Sequence, residues 1–110
     1  MRNESRGAVL GDAVTVANTR STRNVGLLKH KSLNPGEGLW IVPCQSVHTF
    51  FMKFAIDLVY LDRRRRVRKV RHAVPPWRVS GCWRAHSVLE FPAGSVAPTG
   101  TQPGDQLEIE

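Results

Sequence analysis

Glycine and proline interrupt this chain at short intervals. Nine glycines and seven prolines are spread through 110 residues, and both residue types are unfavourable inside a long helix. The chain should therefore form short segments joined by turns, which favours strands over a bundle of helices. Because 110 residues suffice for only one hydrophobic core, we expect residues 1–110 to form a single domain.

The apolar segments between these breakers predict about seven or eight short strands. The most apolar segment, Val47–Leu61, has apolar side chains at both alternating positions, so it is either covered on both faces or divided by a bend near Phe54–Asp57. The other predicted strands are Ala13–Ala17, Gly38–Pro43, Val67–Val74, Trp77–Val79, Val88–Phe91 and Gln106–Ile109. With a short helix over Ser21–Lys31 and a helical turn around Ser95–Pro98, the predicted fold is mainly β, a small antiparallel β-barrel or sandwich with one or two short helices.

Positive charge is concentrated in one part of the chain. Sixteen lysines and arginines against nine aspartates and glutamates give a net charge of +7, and the seven basic residues between positions 63 and 71 account for that excess. This tract lies between two predicted strands, so a β-hairpin should carry it at the tip and along the returning strand. Its basic residues are Arg63, Arg64, Arg65, Arg66, Arg68, Lys69 and Arg71.

Two interpretations of the basic tract remain open. A protruding hairpin with several guanidinium groups can contact several phosphates of a nucleic acid or another polyanion, with an affinity that falls steeply as salt rises. Alternatively, the charges only keep the hairpin solvated and prevent sheets from associating edge to edge. The sequence shows no recognised nucleic-acid-binding motif and no clear aromatic platform beside the tract.

A group of polar residues in and near the apolar segment is a candidate binding site. Ser46, His48 and Thr49 follow one another closely, and Asp57 lies within the most apolar part of the chain. Such donors and acceptors are typical of the polar end of a small-molecule pocket. The alternative is structural, in which the hydroxyls and the imidazole satisfy backbone groups at an irregular strand start. Asp57 would then bond to an arginine, a histidine or a turn, because a buried carboxylate is costly without partners.

Cysteine and histidine recur at one spacing, in Cys44-x-x-x-His48 and Cys82-x-x-x-His86. Thiolate and imidazole are zinc ligands, but four residues of a strand span about 13 Å, whereas two ligands of one zinc lie within about 4 Å of each other. We therefore predict no metal and no cofactor. A thiol-dependent enzyme with Cys44 as nucleophile, His48 as base and Asp57 as orienting carboxylate remains an alternative. Because no feature selects these three residues over others, no catalytic residue is predicted.

No targeting or membrane segment is evident in the sequence. The chain has no apolar run near the roughly 18 residues that cross a membrane, and the polar start Met1–Gly7 lacks the apolar core of a signal peptide. We therefore expect a cytoplasmic protein. In that compartment Cys44 and Cys82 should stay reduced.

Several segments, in order along the chain, carry a family resemblance. They are Gly26–Leu28, Gly38–Met52, Ile56–Asp62, Pro76–Val79, Val88–Gly94 and Gly104–Asp105. Together they resemble the family called domain of unknown function 192 (DUF192). The resemblance implies a mainly β domain with short helices, but no activity and no catalytic residue, since the family is named for having no established role. Similar members have an Asp-Gly type turn where this chain has Arg64 and Arg65, so the basic tip should be a property of this protein.

Together these observations favour a small, non-enzymatic binding domain for an unidentified small ligand. Its predicted contacts are Ser46, His48, Thr49 and Asp57. One alternative is binding of nucleic acid or an anionic surface through the basic hairpin Arg63–Arg71. Another is a metal- or thiol-dependent enzyme that uses Cys44 and His48.

Overall fold

The computed structural model describes residues 1–18, 34–50 and 52–109, and within them it contains ten short strands in three sheets. The strands are β1 (Arg2–Asn3), β2 (Ala8–Val9), β3 (Ala13–Ala17), β4 (Glu37–Ile41), β5 (Ser46–His48), β6 (Ile56–Leu61), β7 (Val67–Val74), β8 (Val79–Gly81), β9 (Ser87–Pro92) and β10 (Leu107–Glu108). A 3-10 helix spans Ala97–Thr99, close to the predicted helical turn.

The predicted mainly β class is confirmed. The additional strands β1 and β2 have two residues each, which is too short for an alternating pattern to show in the sequence. The helix predicted over Ser21–Lys31 lies outside the described residues. No helix in the described part of the chain is long and apolar enough to span a membrane.

The apolar segment Val47–Leu61 contributes strands to two different sheets. It is divided by residues 49–55 into β5 and β6, so the bend begins before the predicted Phe54–Asp57. All six residues of β6 are buried. Leu58 and Tyr60 pack into one hydrophobic cluster, whereas Val59 and Leu61 pack into another. Because successive side chains of a strand point to opposite faces, β6 is also covered on both faces.

The largest sheet has five strands in the order β3-β4-β9-β6-β7. Its pairs are antiparallel except β3 with β4, which run parallel. The connection over residues 18–36 is long enough for the crossover that parallel neighbours require. The arrangement is thus sandwich-like and mostly, rather than wholly, antiparallel.

Strands β6 and β7 form the predicted hairpin, and residues 62–66 connect them. Strands β5 and β8 form a separate two-stranded antiparallel sheet. The loop before β5 and the loop after β8 lie at the same end of this small sheet, since Ser46 pairs with Gly81. The fold thereby brings the two loops close to the basic hairpin tip.

Candidate anion-binding site

An open cleft of about 920 Å³ lies between the tip of the β6–β7 hairpin and the two loops that flank the β5–β8 sheet. Among the described residues, five arginines and one carboxylate line it, so the charges of these side chains sum to about four positive. The arginines are Arg63, Arg64, Arg66, Arg68 and Arg84. Concave walls with charges of one sign concentrate the electrostatic field, which favours an anionic ligand.

Hydrogen bonds hold the two loops against each other and against the hairpin. The His86 N–H donates to the Leu61 carbonyl at 2.7 Å, and the Cys44 N–H donates to the His86 carbonyl at 2.8 Å. The Gln45 side-chain amide donates to the Trp83 carbonyl at 2.7 Å. Residues that are distant in sequence therefore share the walls of one cleft.

Asp62 shapes the hairpin tip. Its Oδ1 accepts hydrogen bonds from the backbone N–H groups of Arg64 and Arg66, each at 2.9 Å, and its Oδ2 lies 3.2 Å from the Arg68 guanidinium. Burial raises the pKa of Asp62, but the two backbone hydrogen bonds and the Arg68 charge outweigh burial and hold this pKa below its ordinary value. Asp62 therefore stays ionised and orders the loop that carries the arginines.

The tip keeps an arginine where the backbone favours glycine. Arg65 has a φ of 62°, in the left-handed region that glycine enters with least strain. This conformation agrees with the Asp-Gly type turn that the family resemblance implies at Arg64 and Arg65. The Arg65 guanidinium pairs with Glu108 at 3.2 Å and does not line the cleft.

Three arginines of the tip pair with no carboxylate in the part of the chain that the structure describes. Arg63, Arg64 and Arg66 are exposed, and none of them forms an ion pair with any other residue that the structure describes. An anion can therefore bind these guanidinium groups without displacing a protein partner. Arg68, by contrast, would have to share its charge with Asp62.

The structure adds two residues that sequence reasoning missed. Trp83 is 78% exposed, and the Arg84 guanidinium lies 5.1 Å from the centroid of its ring. The loop between β8 and β9 thus supplies an aromatic side chain to the arginine-lined cleft. The sequence feature that could have indicated these two residues is a Trp-Arg pair in a short connection between two predicted strands. Residues in such loops carry function more often than core residues do.

Only part of the basic tract faces the cleft. Arg63, Arg64, Arg66 and Arg68 line it, whereas Lys69 and Arg71 lie on β7 outside it. Lys69 donates to the Gly81 carbonyl at 2.7 Å, which fastens β7 to the β5–β8 sheet. Anion binding by the tract stays a prediction; the residues of the tract that line the cleft are those at the tip and Arg68 next to it.

The four residues predicted to bind a small ligand lie in different surroundings. Ser46 and His48 are exposed on β5. Thr49 is buried; its hydroxyl donates to the Pro75 carbonyl at 2.7 Å and accepts from the Arg78 N–H at 2.8 Å. Neither the arginine-lined cleft nor a smaller cavity of about 520 Å³ beside Gly36 and Gly94 is lined by any of the four.

Asp57 is buried and bonded to backbone amides. Its Oδ1 accepts from the Ala73 N–H at 2.8 Å, and its Oδ2 accepts from Gly94 at 3.1 Å and Val96 at 3.0 Å. Of the partners considered from the sequence, the turn is the one observed. Both carboxylate oxygens therefore support the fold, and a ligand would have to compete with these amides.

Cysteine and histidine do not assemble a metal centre in the described residues, where no three candidate ligands lie together. Cys44 borders the cleft and donates to the Ser46 carbonyl at 3.0 Å. His48 lies elsewhere, with its ring centroid 4.9 Å from that of Phe50. Among the described residues, neither Cys44 nor Cys82 forms a disulfide bond.

Comparison with known proteins places this architecture in an uncharacterised group. A family model, DUF192, described as "uncharacterized ACR", matches residues 1–109. A UPF0127 protein of Thermococcus sibiricus is 30% identical over 117 residues, which covers 98% of this chain and 73% of that protein. A UPF0127 protein of Thermococcus gammatolerans is 31% identical over 111 residues, with coverage of 96% and 71%.

Solved structures share the fold. A protein of unknown function from Novosphingobium aromaticivorans superposes with a TM-score of 0.78 at 22% identity, covering 87% of this chain and 74% of that one. A Sinorhizobium meliloti protein named "putative transcription regulator" gives a TM-score of 0.78 at 23% identity, with coverage of 86% and 79%.

Proposed function

Because the chain belongs to the DUF192 family, which supplies no activity, we propose a function from the cleft itself: it binds the phosphate groups of an anionic ligand. One observation carries the proposal. Five arginines line a single cleft together with one carboxylate, and three of those arginines have no ion-pair partner among the described residues.

Guanidinium chemistry favours phosphate in this cleft. A guanidinium group donates two parallel hydrogen bonds to a phosphate or a carboxylate, and such charge-assisted bonds are roughly twice as strong as neutral ones. Several guanidinium groups around one cleft can hold more than one phosphate. The affinity should then fall steeply with salt, because each bound phosphate releases counterions.

The other functions considered from the sequence have less support. A small-ligand site at Ser46, His48, Thr49 and Asp57 would have to draw on Thr49 and Asp57, whose oxygens are occupied by backbone groups. The thiol-dependent enzyme predicted from the sequence pairs Cys44 with His48, but His48 does not line the cleft that Cys44 borders.

Heparin chromatography of two matched variants tests the proposal. The cleft variant combines Arg63→Ser, Arg64→Ser and Arg66→Ser. The control variant loses the same charge outside the cleft through Lys53→Ser, Arg71→Ser and Arg78→Ser, all at exposed positions. We expect the cleft variant to elute at clearly lower NaCl than the wild type and the control variant to elute close to it.

Two outcomes contradict the proposal. Unchanged elution of the cleft variant means that the tip arginines bind no anion. Equal losses in both variants mean that heparin responds only to net charge. Circular dichroism and melting temperature should match among the three proteins, since the replaced side chains are exposed and these changes touch no core residue.

A further inference from the structure

The cleft combines guanidinium groups with an exposed indole. This combination favours a ligand that has an aromatic base as well as phosphate groups. We infer that the anionic ligand is a single-stranded nucleic acid, whose phosphates pair with the hairpin-tip arginines while a base stacks on Trp83. The inference rests on the proposed function and deepens it, since it names a ligand class for the same cleft.

Trp83 is suited to be a stacking platform. It has the largest exposure among the exposed large hydrophobic residues described, at 78%. The Arg84 guanidinium lies over its ring at 5.1 Å, yet the exposure shows that most of the indole contacts solvent. A lone exposed apolar side chain is ordinary, but this one lies in a cleft with five arginines. Aromatic side chains beside a positively charged groove are the combination that binds single strands.

The platform is held in place before any ligand arrives. The Gln45 side chain bonds to the Trp83 carbonyl at 2.7 Å, and the His86 N–H bonds to the Leu61 carbonyl, next to the hairpin tip. The loop that carries the indole is therefore hydrogen-bonded to the hairpin that carries the tip arginines, and both line one cleft. Such preorganisation lowers the entropic cost of binding.

A single strand fits this cleft better than a duplex. Bases in a duplex are stacked on their neighbours, so they are not available to an aromatic side chain, whereas the bases of a single strand are. The cleft is open and, at about 920 Å³, lies at the upper end of the roughly 300–1,000 Å³ of small-ligand pockets. Because the Gln45 amide is engaged with the Trp83 carbonyl, we expect little preference for base sequence.

Binding of labelled oligonucleotides tests the inference. The probes are a fluorescein-labelled deoxythymidine strand of about 12 nucleotides, a duplex of the same length, and thymidine monophosphate as a competitor. The variants are Trp83→Ala, Trp83→Phe and, as a control, Trp77→Ala, which removes another exposed indole outside the cleft. We expect Trp83→Ala to weaken strand binding by at least about 5-fold, Trp83→Phe to restore most of the affinity and Trp77→Ala to change it little.

The results separate this inference from the proposed function. If Trp83→Ala binds the strand as the wild type does while the triple arginine variant does not, phosphate binding stands and stacking on Trp83 is wrong. If the duplex binds more tightly than the strand, or the monophosphate competes as well as an unlabelled strand does, the ligand class is wrong. If the triple arginine variant keeps full heparin retention, the proposed function itself fails. Heparin retention of Trp83→Ala should equal that of the wild type, because heparin offers no base to stack.

Discussion

Glu90 is a buried carboxyl group that should make the stability of the protein depend on pH. It lies on β9 within the five-stranded sheet, where its register neighbours are Leu39 of β4 and Leu58 of β6. Only 5% of its surface is exposed, and no ion pair reaches it from any described residue. Burial therefore raises the pKa of Glu90 from 4.5 to about 7.

The raised pKa makes the protein less stable as pH increases. Below about pH 4.5 the Glu90 carboxyl is neutral in both the folded and the unfolded chain, so it does not change the free energy of unfolding with pH. Above that pH the unfolded chain loses the proton first, and near pH 7 the folded protein must bury a charge. A pKa difference between 4.5 and about 7 corresponds to about 3 kcal/mol of unfolding free energy, most of which is lost between pH 5 and pH 8.

Urea denaturation of wild type and Glu90→Gln at pH 5 and pH 8 measures this effect. The glutamine side chain has nearly the same shape and carries no charge, so the variant should lose much less stability between the two pH values. Glu4→Gln is the control, since Glu4 is exposed and the variant should keep the wild-type pH dependence. All other titratable groups are the same in the wild type and in Glu90→Gln, so the difference between these two proteins isolates Glu90. Equal pH dependence in wild type and Glu90→Gln would refute the reasoning.

Two further predictions concern the buried and the cleft aspartates. Asp57→Asn should lower the free energy of unfolding by about 2–4 kcal/mol, because the amide nitrogen cannot accept a hydrogen bond and must face either the Ala73 N–H or the N–H groups of Gly94 and Val96. Urea denaturation measures the free energy of unfolding, and Asp12→Asn, at an exposed position, is the control. If Asp57→Asn destabilises the protein no more than Asp12→Asn does, the hydrogen bonds to the Asp57 carboxylate contribute little to stability. Asp62→Asn should raise the NaCl concentration needed for elution from heparin, because the cleft loses the carboxylate found among its described lining residues and Arg68 loses its ion pair. Glu108→Gln removes a negative charge outside the cleft, and an equal rise in that variant would attribute the effect to net charge.

Local sequence patterns determined the class of fold. Closely spaced glycines and prolines limited segment length, and apolar residues at both alternating positions of Val47–Leu61 indicated burial on both faces, as β6 shows. The basic tract between two apolar segments indicated a hairpin with arginines at its tip, which the β6–β7 pair confirms. These features depend on neighbours along the chain, so they could be predicted without coordinates.

The composition of the cleft was decided by tertiary structure. Trp83 and Arg84 meet the hairpin tip only because the loop between β8 and β9 is hydrogen-bonded to Leu61 and to the loop before β5. Likewise, the partners of Asp57 are amides of β7 and of the turn after β9. Such contacts depend on strand order and register across the whole chain, and no local pattern of residues specifies them. The sequence alone therefore determined that a β domain carries a hairpin with a charged tip, whereas tertiary packing bonded that tip to the C-terminal strand and decided which arginines share a cleft with an aromatic side chain.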